Sequence, residues 1–498
     1  PAVTSLWDPH GRWIGVASMP ERELRIAIVG AGPAGIYSAE ALVKAAEERE
    51  QPMAIDLIDA VPSPFGLVRY GVAPDHYSIR SVRDALDRIL HDHRIRFFGN
   101  VEVGEDTKAI AAADSVAPQQ ISLATLRSMY DAVILSYGAA TDRNLGISGE
   151  DSQGSISATQ FVAWYTGHPD TPADAWVDLL AHCASVAVVG VGNVAVDVAR
   201  ILGKSAEELQ QTDMPEHVLT ALSNSAIRDI YIIGRRGPAE ATWTTKELRE
   251  LGELAEADIS VRGVDTELGP TSQLVVDTSK VAARNVGVVK EWVTRPAGKK
   301  SKCIHLRFFA RPVAIEVANG HATALIIEST QLTPKGGVVG TGEIERIAVD
   351  AVIRSVGYRG TALSDVPFDH DRGVVPHDEG RVLHGTGPVR GLYVAGWIKR
   401  GPTGIIGTNK KDAVNTVSSL LYDLDQGVLS NTEPSRDDLA DVLEDGFVDH
   451  AGWRRINDAE IALGSSRGRD RTTIHDRGES LAASHVAEGT GRTSPASQ

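Results

Sequence analysis

Apolar residues along this chain fall in short continuous runs, several of them ending in a glycine-rich turn that leads into apolar positions at helical spacing. The first run, Ile26-Ala27-Ile28-Val29, enters Gly30-x-Gly32-x-x-Gly35, and Ile36, Ala39, Leu42 and Val43 then recur along one face of a helix. A strand, a glycine turn and a helix in that order suit a pyrophosphate. Gly30 permits the tight turn, Gly32 lets the backbone approach the phosphates, and Gly35 allows helix to pack closely on strand. The helix N-terminus, entered through Pro33 and Ala34, offers free N–H groups to the anion. The next run, residues 54–58, ends at Asp59, where a carboxylate would hold a ribose hydroxyl.

The same pattern returns at residues 185–200, SVAVVGVGNVAVDVAR. An apolar strand meets Gly190-Val191-Gly192-Asn193-Val194-Ala195, and Val198, Ile201 and Leu202 continue as a helix. After a polar stretch over residues 204–224, the run at 229–233 ends in Gly234-Arg235-Arg236-Gly237 rather than in an acid. Arginine at that place accommodates a 2′-phosphate. Two hydrogen bonds of roughly 1.5–3 kcal/mol each would favour NADP(H) over NAD(H) about 10²- to 10⁴-fold. An acid after one turn and arginines after the other imply two different dinucleotides.

The remaining pattern organises the chain around these turns. Residues 62–76 form a long loop whose prolines and glycines set its path while Phe65, Leu67, Val68 and Tyr70 supply apolar bulk. Such a loop is expected to wall a flat aromatic cofactor. Residues 78–93 read as one charged helix, 94–101 as a strand and turn, and 130–135 as a buried strand. From 259 to 356 the pattern alternates, with 306–309, 324–327 and 351–356 the clearest strands, and Arg295, Lys299, Lys300 and Lys302 read as a solvated loop. At 391–397 a strand returns to the first unit and leads through Gly404-Ile405-Ile406-Gly407 to a helix over 411–424. Its N-terminus would face the pyrimidine edge of an isoalloxazine and stabilise negative charge there by roughly 0.3–2 kcal/mol. Residues 441–463 contain a helical stretch with Trp453. The expected division is an extension over 1–23 (with Met19 an alternative start), a first domain over 24–142, a second over 143–358, a return over 359–483, and a disordered tail over 484–498.

Composition narrows the functions. The chain has 498 residues, 42% hydrophobic and 23% charged, enough for more than one core. A net charge of −16 argues against a nucleic-acid binder and requires a local basic patch if any partner is acidic. Two cysteines, Cys183 and Cys303, cannot ligate an iron–sulfur cluster within this chain and form no CxxC redox pair. A reducing, cytoplasmic setting is expected, with no membrane span, no metal centre and a monomeric chain.

Six segments together resemble one family. They are VGAGPAG (29–35), PFGLVRYGVAPDH (64–76), VGVGNVAVDVAR (189–200), GRRGP (234–238), TTKELREL (244–251) and GWIKRGPTGIIGTNK (396–410). From about residue 24 to about 464 the chain resembles an adrenodoxin reductase-type ferredoxin–NADP reductase. The resemblance implies an α/β fold of two dinucleotide-binding, Rossmann-like domains in a glutathione reductase-like architecture. The FAD domain is discontinuous and the NADP domain inserted in it. It implies electron transfer between NADPH and a small acidic iron–sulfur protein of the ferredoxin type, by hydride transfer to FAD and release of single electrons. Carried over by position, Ala34, Asp59, Leu67, Val101, Trp397, Gly404, Ile405 and Ile406 would touch FAD. Arg143, Val191, Gly192, Asn193, Val194, Arg235, Arg236 and Glu247 would contact NADP. His76 and Glu250 would be a titratable pair ordering water near the nicotinamide. Relatives usually carry Glu where Asp59 stands and Phe where Trp243 stands. Arg80, Arg83, Arg88, Arg94, Lys399, Arg400, Lys410 and Lys411 are the expected docking patch for the acidic partner. Two other readings stay open: an NADPH-dependent flavoprotein serving a quinone or free flavin, and a non-catalytic FAD/NADP-binding regulator.

Overall fold

A computed structural model describes residues 4–7, 13–17, 22–104, 117–296, 298–429, 435, 437–443 and 446–485. Its framework is two parallel-type sheets. The first has seven strands in the order His377–Asp378, Arg381–His384, Gly387–Val394, Ala132–Leu135, Leu24–Val29, Met53–Ile58 and Ile95–Phe98. The strands from Gly387–Val394 onward pair in parallel. Strands from both ends of the chain therefore share one sheet, so the polypeptide leaves this unit and comes back. The second sheet has six strands, Ser155–Ser157, Ala351–Arg354, Ser185–Val189, Asp229–Ile233, Lys302–Arg307 and Ala257–Val261, all parallel. Thr141–Asp142 and Tyr358–Arg359 pair antiparallel where the chain passes between the two units.

The continuous apolar runs follow from burial on both faces. Ile26 and Ile28 enter one core of the first unit, while Ala27 and Val29, on the opposite pleat, enter another. Val186 and Val188 likewise face the helices of the second unit. Ala187 and Val189 face a meander of Ala310–Ala318, His321–Leu332 and Val338–Ala348. In the first unit the Pro33–Arg49 helix packs on Thr408–Asp425, joining the two ends of the chain. That contact sets the first glycine turn beside the returning strand.

Several local expectations are corrected. The charged segment after the long loop is two helices, Tyr77–Arg80 and Val82–Leu90, not one. The long loop contains a short buried helix, Leu67–Tyr70. Lys302 does not lie in a solvated loop: it begins a strand, and its Nζ donates to the Leu202 and Lys204 carbonyls at 2.7 and 3.2 Å. The helical stretch expected around Trp453 is present as His450–Ser465, with a separate short helix, Leu439–Leu443, before it. The N-terminal extension carries an antiparallel pair, Thr4–Trp7 with Trp13–Ala17, so pairing begins before Leu24. Ser484, assigned above to the tail, closes the Arg477–Ser484 helix and is buried. Residues 486–498 lie outside the described residues.

Candidate functional site

The first glycine turn divides its labour by space. Gly30 has φ +105°, and a Cβ there would meet the Ser136 carbonyl oxygen at 2.6 Å. One on Gly35 would sit 2.0 Å from the Gly30 oxygen. Both are packing glycines. Gly32 differs: its nearest neighbour would be the Gly66 Cα at 3.9 Å, so the face of the turn is open. Gly32 caps the Pro33–Arg49 helix with no side-chain hydrogen bond and no acid in the first turn, which leaves donors for an anion. The Ala31 N–H is taken by Asp59, whose Oδ2 accepts it at 2.7 Å while Oδ1 accepts the Val61 N–H at 3.1 Å. Burial pushes the Asp59 carboxyl up to about 6, against the pull of those two N–H groups.

The surrounding loops press on this turn. Phe65 is buried at φ 87°, with its N–H donating to the Ala31 carbonyl at 2.8 Å, and its ring meets Trp453 edge-on at 5.6 Å. Leu67 starts the short helix beside it, and Val101 is buried in the adjoining core. From the other end of the chain, a Cβ on Gly396 would lie 2.5 Å from the Ala34 Cβ and 3.9 Å from Asn409 Oδ1. The Thr408–Asp425 helix thus begins beside the first fingerprint, and it too has no side-chain cap and no acid in its first turn. Half-buried Trp397, Gly404 at φ +85°, exposed Ile405 and half-buried Ile406 lead into it. Residues around Gly32 and residues 396–409, far apart in sequence, come together here, with the helix start at Pro33 open to an anion. That is a fit for a flavin dinucleotide.

The second turn repeats the logic. A Cβ on Gly190 (φ +142°) would clash with the Ser355 oxygen at 2.1 Å, whereas one on Gly192 meets only Thr242 Oγ1 at 3.5 Å. Val191, Asn193 and Val194 line the start of the Asn193–Gly203 helix, which has no acid in its first turn. Asn193 Oδ1 accepts the Thr244 N–H at 3.1 Å and so ties the turn to the Thr245–Leu251 helix. Arg143 and Arg235 are exposed and Arg236 is half-buried. None of the three pairs with a carboxylate among the described residues, and the Arg236 Nε is buried without a hydrogen-bond partner. Two such guanidiniums at the end of the strand beside the second glycine turn, Arg235 and Arg236, fit a phosphorylated ribose. Glu247 is buried, and burial followed by the nearby Asp197 raises its carboxyl above the usual range.

His76 and Glu250 come together across the two units, His76 Nδ1 lying 3.8 Å from Glu250 Oε2. The stronger partners of His76 were not visible in sequence. Its Nε2 lies 2.8 Å from Asp197 Oδ1 and 2.7 Å from Arg200 Nη2. Glu250 Oε2 is buried without a hydrogen-bond partner. Another missed residue is Arg477, whose Nη1 donates to the Ala60 carbonyl at 2.9 Å and to Asn100 Oδ1 at 2.6 Å, beside Asp59. Nothing in the polar stretch around Arg477 marks it.

Most of the cations expected to meet an acidic partner already have partners within the chain. Arg80 is buried against Asp213 at 2.9 Å, and Lys399 is buried against Asp412 at 2.9 Å. Arg94 is held by Asp92 and Glu47, Lys410 by Glu40, and Arg400 by Asn409. Arg83, Arg88, Arg400 and Lys411 have no carboxylate partner among the described residues, and of these Arg400 is half-buried on Asn409. Arg83 is half-buried, and burial and then the guanidiniums of Arg471, Arg69 and Arg80 push it down to about 10.

Residues 24–284 match the pyridine nucleotide-disulphide oxidoreductase family. The chain is 37% identical over 486 residues to the mitochondrial NADPH:adrenodoxin oxidoreductase of Arabidopsis thaliana, covering 94% of this chain and 96% of that protein. It is 38% identical over 473 residues to the NADPH-ferredoxin reductase FprA of Mycobacterium tuberculosis, covering 92% and 99%. The structure of Mycobacterium tuberculosis FprA in complex with NADPH superposes with a TM-score of 0.84, at 37% identity, over 93% of this chain and 100% of that one. The chain belongs to the adrenodoxin reductase-type ferredoxin–NADP reductases. Cys183 and Cys303 are both unpaired, and burial pushes both thiols up to about 11, the wrong direction for a redox thiolate.

Proposed function

We propose that this reductase carries electrons from NADPH to a small acidic iron–sulfur protein through bound FAD. The observation that supports it best is the pairing of two open glycine turns, one followed by a buried carboxylate and the other by free arginines, on units joined through His76. When bound, FAD takes a hydride from NADPH and gives up electrons singly. The chain's own groups hold and orient. Gly32, Pro33 and Ala34 with the first helix N-terminus receive the FAD pyrophosphate, and Asp59 accepts from its ribose. Gly404, Ile405 and Ile406 bring the second helix N-terminus to the pyrimidine edge, while Leu67, Val101 and Trp397 wall the ring. Arg235 and Arg236, with Arg143, receive the 2′-phosphate, and Gly192 with Val191, Asn193 and Val194 the nicotinamide pyrophosphate. Glu247 lies beside that nucleotide. His76 and Glu250 hold a water and a proton between them at the junction. Arg83, Arg88 and Lys411 support an acidic partner, and the two free thiols support a reducing, cytoplasmic setting for a monomer. No helix among the described residues is long and apolar enough to cross a membrane.

Anaerobic addition of NADPH to the purified holoprotein tests the reading. Bleaching of the flavin, with cytochrome c reduction that requires a ferredoxin and that NADH does not sustain, is the expected result. Bound NADPH with the flavin still oxidised would refute it in favour of a regulator, and ferredoxin-independent quinone turnover in favour of a quinone reductase.

A further inference from the structure

The helix that begins at the second glycine turn also carries a face that never touches its own core. Asp197, Arg200 and Lys204 lie at spacings of three and four residues, on one side of Asn193–Gly203 and its C-cap. Val196, Val198, Ile201 and Leu202 of the same helix enter the apolar core of the second sheet. The polar face meets the long loop of the first unit instead. Asp75, buried in that loop, takes Arg200 Nη1 in a short ion pair and Lys204 Nζ at 2.6 Å. Arg200 also holds Asp197 at 2.7 Å and lies 3.9 Å from Glu250, with its side chain 2% exposed. A loop of one unit and the phosphate-binding helix of the other are therefore joined by buried charges.

Buried ion pairs contribute little stability relative to apolar packing of the same volume, but they are directional and costly to break. An apolar contact here would let the two units slide, whereas a carboxylate gripped by a guanidinium and an ammonium admits one register. Asp75 is adjacent to His76, and the Asn193–Gly203 helix is a rigid rod from the open turn at Gly192 to Arg200. Anchoring Asp75 fixes where the nucleotide bound at Gly192 stands relative to the cofactor bound at Gly32. We propose that Asp75, Arg200 and Lys204 are positioning residues for the hydride step, holding the NADP-binding helix in register with the flavin-binding loop. This rests on the function proposed above. None of the three is among the residues assigned above to a dinucleotide, and Arg200 reaches the junction only through His76.

The test uses Asp75→Asn in the FAD-loaded protein, with Lys204→Gln as a milder variant should the first fold poorly. In anaerobic stopped flow, the rate of flavin reduction at saturating NADPH is expected to fall at least tenfold in Asp75→Asn and severalfold in Lys204→Gln. FAD content and the NADP⁺ dissociation constant should stay within twofold of wild type, and Asp75→Glu should restore part of the rate. In the ligand-free protein, amide exchange should speed up in residues 71–76 and 193–204 and nowhere else. Equal reduction rates with wild type, loss confined to NADP⁺ affinity, or faster exchange throughout both units would each overturn the proposal. A wild-type flavin that NADPH fails to reduce would instead overturn the function on which it rests.

Discussion

Replacing Arg235 and Arg236 by glutamine tests how the second site chooses its nucleotide. Arg235 is exposed, so its bond to a 2′-phosphate is screened and belongs near the low end for charged hydrogen bonds, about 1.5 kcal/mol. Arg236 is half-buried with an unpartnered Nε, so it belongs near the upper end, about 3 kcal/mol. Neither must give up a carboxylate to bind phosphate, so little of that energy is lost to competition. The sum, about 4.5 kcal/mol, corresponds to roughly a 10³-fold preference for NADPH over NADH. In ferricyanide reduction, kcat/KM for NADPH should fall about 10³-fold in the double variant while that for NADH changes less than threefold. Arg236→Gln alone should account for the larger share. A double variant that keeps its NADPH preference would refute the assignment, because no other pair of free guanidiniums follows that strand.

The two kinds of glycine predict opposite failures. Gly35→Ala places a Cβ 2.0 Å from the Gly30 oxygen and should give insoluble or unfolded protein, whereas Gly32→Val should fold, by circular dichroism, yet purify without yellow colour. The raised Asp59 carboxyl makes the unfolded chain ionise first, so ligand-free protein should lose up to about 3 kcal/mol of stability as pH rises from about 4 to about 6. Urea unfolding at several pH values should show that decline, and Asp59→Asn should flatten it. Glu460 is fully buried between Arg69 and Arg471, so Glu460→Ala leaves two uncompensated guanidiniums and should cost about 3–5 kcal/mol in urea unfolding at fixed FAD saturation. Ferredoxin-dependent turnover should weaken with salt, and the Arg83→Gln, Arg88→Gln, Lys411→Gln triple variant should flatten that dependence while leaving ferricyanide reduction unchanged. A salt slope equal to wild type would remove these three from the docking surface.

Local sequence alone determined both glycine turns and the strands that feed them. A tight turn, a close backbone approach and a helix start are properties of adjacent residues, and apolar runs buried on both faces read directly as parallel strands. The position of Asp59 and of the Arg235–Arg236 pair just past strand ends was legible for the same reason, since the end of a strand is a fixed distance from the turn beside it. The docking patch was not. Arg80, Lys399 and Lys410 look like solvated charges until tertiary structure brings Asp213, Asp412 and Glu40 against them. The break at Ser81 was equally hidden, because local helical propensity does not show where a segment must turn to pack.

What only the folded chain decided is how the two sites stand to each other. Gly396 meets Ala34 because Gly387–Val394 joins the sheet of Leu24–Val29 through Ala132–Leu135, a pairing no window of sequence contains. Asp75 meets Arg200 across 125 positions of sequence. Short-range sterics and periodicity are written residue by residue, so each nucleotide cradle can be read in isolation. The register between the cradles depends on non-local burial and charge pairing, which exist only once the chain has closed on itself.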